Sequence, residues 1–141
     1  MEYDQLAFEF MEKMKLLQRA KPHKHINEAV QGEAFVLHYI AYNGGDVLPG
    51  EISHEMDVSS ARIAAALNAL EKKGLITRRI DPKDRRKILV AVTGAGMEEA
   101  ERHRQAAVGV AAKMLGMLGE RDAAEYVRIT GKLAEIAREC N

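Results

Sequence analysis

Between Arg62 and Lys87 the chain carries nine basic residues: Arg62, Lys72, Lys73, Arg78, Arg79, Lys83, Arg85, Arg86 and Lys87. Only Glu71, Asp81 and Asp84 oppose them there, so the segment is +6 in a chain whose formal net charge is zero. A neutral protein polarised in this way has one face suited to a polyanion. The chemistry these side chains can do is recognition. Guanidinium and ammonium groups take phosphate oxygens, and a guanidinium can also fork onto a guanine edge. Bond-making chemistry has no comparable footing. The sequence holds no phosphate-binding glycine loop, no nucleophile elbow and no pair of carboxylates placed by a motif. Ser53-His54-Glu55 is contiguous in a predicted helix, where neighbouring side chains diverge by about 100°, so it forms no triad. An enzyme is not expected.

The elements that position the basic residues follow from local signals. Ser59 and Ser60 can each cap a helix by accepting from its first-turn N–H groups. Ile63, Ala66, Leu67 and Leu70 then recur at helical spacing on one face, which leaves Arg62, Ala65, Asn68 and Lys72 on a free face. Gly74 ends the helix, as the residue that enters the left-handed cap conformation without steric cost. Two strand-like runs, Leu75 to Ile80 and Lys87 to Val92, flank Asp81-Pro82-Lys83-Asp84-Arg85-Arg86, and Pro82 presets a hairpin tip. Upstream, Pro49-Gly50-Glu51 starts a helix through Met56, and Asp57-Val58 turns into Ser59. Pro49 to Lys73 therefore reads as a helix-turn-helix, with Val47-Leu48 as a short third strand beside the hairpin. A helix followed at once by a basic hairpin is the plan of a winged helix. Kept this basic, the wing argues against a module used only for protein contacts. RNA binding would call for aromatic stacking residues on an exposed sheet, which are missing.

At these residues the chain resembles the MarR family of bacterial winged-helix transcription regulators. The wing signature Asp81 to Arg86, the strand Lys87 to Val92, Thr93-Gly94-Ala95-Gly96 opening the next helix, and the junction Leu70-Glu71-Lys72-Lys73-Gly74-Leu75-Ile76 carry the resemblance. It implies a mainly α fold with a small β wing: a winged helix-turn-helix with long N- and C-terminal helices that interlock as a homodimer. The corresponding divisions are 1–30, 31–93 and 94–141. It implies, too, a double-stranded DNA operator as partner, with the helix Ser59 to Lys73 in the major groove and the wing in the minor groove. The arginine matching Arg86 would enter the minor groove with Asp84 holding its guanidinium. Arg62 is the expected direct base contact. Ser59, Ser60 and Asn68 would meet a base or a phosphate, Ala61 or Ala65 a thymine methyl, and Lys72, Arg78, Lys83, Arg85 and Lys87 the phosphates. Relatives of this kind are commonly repressors relieved by a small phenolic or aromatic effector. No residue here declares one, since tryptophan is absent and Phe8, Phe10 and Phe35 are explained by packing.

The remaining chain sets bounds. At 141 residues it is one domain, or one compact unit with an extended dimerisation part. Its single cysteine excludes an internal disulfide, and no stretch approaches the ~20 apolar residues of a membrane span. Met1-Glu2-Tyr3-Asp4 is acidic, unlike a secretory leader, so a cytoplasmic location is expected. Leu6, Phe10, Met14 and Leu17 give a first amphipathic helix that ends near Lys21-Pro22. His23-Lys24-His25 follows in what reads as a loop. With Glu28 and Glu33 nearby these histidines could share a metal, but the ligand pattern of zinc-sensing relatives is not matched, and no metal or cofactor is expected. From about Gln31 to Tyr42 an apolar helix is buried, with His38 in its core or at an interface, and Asn43-Gly44-Gly45 stops it. Thr93 caps a long helix from about Ala95 to Leu118, and a last helix carries Tyr126, Ile129, Leu133 and Ile136 on one stripe. Cys140 is read as an inert thiol rather than a redox sensor.

Overall fold

The structure, a computed structural model, describes residues 2–140, leaving aside the side chains of residues 25 and 28–31. Seven helices and one hairpin follow in the order α1 (Tyr3–Arg19), α2 (Lys21–Gln31), α3 (Glu33–Tyr42), α4 (Pro49–Met56), α5 (Ser60–Lys72), β1 (Ile76–Ile80), β2 (Ile88–Val92), α6 (Gly94–Leu118) and α7 (Glu120–Glu139). The mainly helical architecture with a small wing is the one the sequence implies.

One element differs. The stretch read as a loop from His23 is α2, and the break precedes the proline. Ala20 is extended, at φ −73° and ψ 136°, and Pro22 sits in the first turn of α2. There its missing N–H would have had no intrahelical partner anyway, and its fixed φ suits a helix start. Lys21-Pro22 thus begins a helix as well as following one. The proposed metal set falls partly outside the described residues, since the side chains of His25 and Glu28 are among those left aside. Among the described residues no three His, Cys, Asp or Glu side chains gather as a metal site.

The core is built around α3, which is apolar on most sides and buries Val36, Leu37 and Ile40. Ile52 of α4, Ile63, Leu67 and Leu70 of α5, Ile76 of β1, Val90 of β2 and Ala100 of α6 complete it with Val47. Each large side chain removed from water here contributes about 1.5–3 kcal/mol. The hairpin pairs Ile76 with Val92, Arg78 with Val90 and Ile80 with Ile88. Val47 adds an isolated bridge, exchanging both backbone hydrogen bonds with Val90 at 2.9 and 2.8 Å. The short third strand expected at Val47-Leu48 is thus reduced to this single bridge at Val47, beside a two-stranded sheet.

α2 and α3 both pack on α6, which continues toward α7. The ends of the chain are different in kind. Among the described residues, none in α1 or α7 is buried. Leu6, Phe10, Tyr126, Ile129, Leu133 and Ile136 all stand exposed. Among the described residues no helix is long and apolar enough to cross a membrane.

Candidate nucleic-acid interface

The helix-turn-helix is fixed by short polar contacts. Asp57 takes the left-handed conformation (φ 53°) at the end of α4, and its N–H donates to the His54 carbonyl. Ser53 Oγ donates to the Val58 carbonyl at 2.6 Å, while the Val58 N–H returns to the Ser53 carbonyl at 3.2 Å. Ser59 then caps α5, its Oγ accepting from the Arg62 N–H at 3.3 Å. With Ile63, Leu67 and Leu70 locked in the core, Ser59, Ser60, Ala61, Arg62, Ala65, Asn68 and Lys72 are left exposed on α5. At the far end of the helix Gly74 adopts φ 77°, and Lys73 Nζ donates to Glu33 Oε1 of α3 at 2.6 Å.

The hairpin divides its two central arginines between faces. Arg78 shares the core-side face of β1 with buried Ile76, since alternate strand residues point the same way. From there its Nη2 donates to Asn68 Oδ1 at 2.7 Å and to Glu71 Oε1 at 2.9 Å, both on α5. The guanidinium holds the Glu71 carboxyl below the usual carboxylate range, and the carboxylate raises Arg78 in turn. Arg79 points to the other face and forks onto Asp46, with Nη1 2.9 Å from Oδ1 and Nη2 on Oδ2. This pair lowers the Asp46 carboxyl and staples the wing to the residue before the Val47 bridge.

Acidic residues shape the wing tip. Asp81 Oδ1 accepts from the Lys83 N–H at 2.9 Å, and Asp84 Oδ1 accepts from the Arg86 N–H at 3.1 Å and Arg86 Nε at 3.3 Å. Asp84 is thus half-buried beneath an Arg86 side chain that is 92% exposed. Lys83, Arg85 and Lys87 are exposed beside it. These tip cations and the free face of α5 are two separate exposed regions, and Arg78 bridges from the hairpin to the helix.

The partners Glu33, Asp46 and Glu71 were not singled out from the sequence as part of this arrangement. Glu71 lies three residues after Asn68, so a strand arginine facing α5 could have been expected to find both. Nothing local marks Glu33 or Asp46. Behind the interface, a cavity of about 240 Å³ lies between α3 and α6, lined by Ala34, Phe35, His38, Ala100, His103 and Arg104 among others. His38 and Phe35 are half-buried at its edge, not sealed in the core. Beside them Tyr42 donates to Glu101 Oε2 at 2.6 Å, and Arg104 Nη2 donates to Glu101 Oε1 at 2.7 Å. Together, Arg104 first and Tyr42 second, they hold the Glu101 carboxyl down to about 2.

Three comparisons bear on this geometry. The model of the MarR family matches residues 30–87, from the end of α2 through the wing tip. The chain is 29% identical over 126 residues to the HTH-type transcriptional repressor MdtR of Bacillus subtilis (strain 168), covering 86% of this chain and 81% of that protein. Its structure is similar to that of YusO from Bacillus subtilis, with a TM-score of 0.70 at 26% identity over 96% of this chain and 99% of that one. It has the same TM-score with FabT of Streptococcus pneumoniae, solved in complex with DNA, at 20% identity over 99% and 100% of the two chains, a likeness of fold.

Proposed function

From this chain's membership of the MarR family of winged-helix transcriptional regulators, we propose that it is a sequence-specific repressor that binds a near-palindromic operator as a homodimer. The observation that carries this reading is the pairing of a solvent-facing helix α5 with a wing tip whose cations project from acidic anchors. α5 enters the major groove, where each base pair offers its own pattern of donors and acceptors. Arg62 reads a base edge near the start of the helix. Ser59, Ser60, Ala65 and Asn68 complete that contact face, and Lys72, Arg78, Lys83, Arg85 and Lys87 attract phosphates. Asp84 presents Arg86 to the minor groove, whose negative potential is deepest over A·T-rich sequence.

Homodimerisation is supported by α1 and α7. Phe10, Tyr126, Ile129 and Leu133 of these helices are between 45% and 59% exposed, so their stripes remain to be buried against a second copy. Two-fold symmetry would place the half-sites about 10 base pairs, or one helical turn, apart. The repressor sense follows MdtR, and a DNA partner accords with FabT, a protein of this fold that was solved with DNA. A small effector would act from the cavity between α3 and α6, which the Lys73–Glu33 pair links to the end of α5.

Selection from a randomised duplex library tests the reading. An enriched, near-palindromic motif is expected, and the absence of any enrichment would overturn it. Two substitutions separate the roles. Arg62→Ala should cost roughly 1–3 kcal/mol of binding and relax the preference at one base position per half-site. Lys87→Ala should weaken all duplexes evenly and lower the salt slope by about 0.9 per subunit, because fewer counterions are released. Identical profiles for the two variants across operators would contradict the division between base reading and phosphate binding.

A further inference from the structure

Asn68 is exposed on α5, one turn beyond Ala65 and one turn before Lys72. Its amide nevertheless has a fixed orientation. Arg78 Nη2 lies 2.7 Å from Oδ1. A guanidinium only donates, so the amide atom that faces it is the oxygen, and the NH2 group is turned away. Arg78 is itself held from two sides. Its Nη2 also reaches Glu71 at 2.9 Å, and its backbone is in register opposite Val90, which Val47 pairs from the other edge. Among the described residues Asn68 Nδ2 has no intramolecular partner.

A free asparagine reads adenine by placing Oδ1 and Nδ2 together along one base edge, accepting from N6 and donating to N7. Here Oδ1 is turned to β1 with one lone pair held by Arg78, so the amide presents its NH2 donor outward. We propose that Arg78 is a positioning residue that makes Asn68 present its donor side, so that this position of α5 selects guanine, which offers two adjacent acceptors in N7 and O6, over adenine, which offers N7 alone and sets its N6 amino group beside the donor. The proposal rests on α5 being the major-groove element. It gives Arg78 a role in specificity besides any attraction of phosphate, exercised through a residue of another element.

The test compares base preference in wild type, Asn68→Ala, Asn68→Asp and Arg78→Met by selection from a randomised duplex library, with competition binding at the selected site. Wild type should favour guanine over adenine by about five- to tenfold at one position per half-site, the worth of roughly one hydrogen bond. Asn68→Ala should bring that ratio to within about twofold. Arg78→Met keeps an aliphatic stem over the core but frees the amide, and adenine should become the preferred base. A merely structural role for Arg78 would lower affinity without moving the preference, and that result would overturn the proposal. Should Arg78→Met fail to fold, Asn68→Asp decides the question, because its carboxylate keeps the tie to Arg78 and offers no donor. Guanine preference lost there supports the proposal, and guanine preference retained overturns it. A wild type that selects a motif whose every position is indifferent to Asn68 overturns this inference alone. A wild type that selects no motif removes the DNA reading and this inference with it.

Discussion

Replacing Lys83, Arg85 and Lys87 together by alanine is expected to flatten the salt dependence of DNA binding by about five in the log–log slope, since a dimer would lose six cations at about 0.9 each. The wild type should lose on the order of 10³-fold or more in affinity between 50 and 200 mM salt, as proteins with six or more phosphate contacts do. The variant should lose far less. The triple substitution is suited to this because it leaves the shape of the tip in place. Asp81 holds the Lys83 backbone N–H rather than its side chain, and Asp84 keeps both its contacts to Arg86. A titration series by fluorescence anisotropy reads the slope directly. Parallel lines for the two proteins would mean that these cations do not meet phosphates.

Gly96→Ala should have the largest effect on stability, a loss of about 3 kcal/mol or more, from overpacking that cannot relax. A Cβ at Gly96 would lie 2.0 Å from the Leu75 carbonyl oxygen and 2.7 Å from Val92 Cγ2. The carbonyl is not free to retreat, because it accepts from the Thr93 N–H at 3.0 Å. Thr93 in turn caps α6 by accepting from the Gly96 N–H at 3.0 Å and donates its hydroxyl to the Gly74 carbonyl at 2.7 Å. The start of α6, the end of β2 and the exit from α5 therefore meet at one point where only a hydrogen fits. Thermal unfolding checks this against Gly50→Ala, whose Cβ would meet nothing within 4 Å. Gly50→Ala should leave the Tm unchanged or higher, and equal Tm values for the two variants would contradict the account of the junction.

Those two predictions draw on parts of the chain that were unequally legible. The region from Ser59 to Thr93 could be read from sequence because its signals are local: a serine cap, helical spacing of Ile63, Leu67 and Leu70, a glycine exit, a proline-bearing tip and a threonine cap. α2 was misread because Pro22 carries two meanings. It disfavours helix for the residue before it, yet it suits the first turn of a helix, and nothing in Ala20 itself announces the break. The apolar stripes of α1 and α7 were visible from their periodicity. Their exposure in a single chain was not, because amphipathicity does not say which surface covers it.

The charges follow the same rule. That Arg86 and Asp84 belong together is implied by the family resemblance of the wing tip, and the two meet there. That Arg79 reaches Asp46 and Lys73 reaches Glu33 was not, as these partners lie 33 and 40 residues away and meet only once the sheet and α3 are in place. Arg78 falls between. Its alternation with Ile76 puts it on the core-side face of β1, which already argues against a side chain directed wholly to solvent. Finding Asn68 as its acceptor took the packing of the hairpin on α5.

The central claim is that α5 and the wing recognise a particular duplex rather than any polyanion. Fluorescence anisotropy with the selected duplex and a scrambled duplex of the same composition, at low and moderate salt, tests it most directly. The account predicts at least 10³-fold tighter binding to the selected sequence, the low end of usual specificity ratios, with both affinities falling as salt rises. Equal affinities for the two duplexes, or no binding to either at low salt, would contradict it.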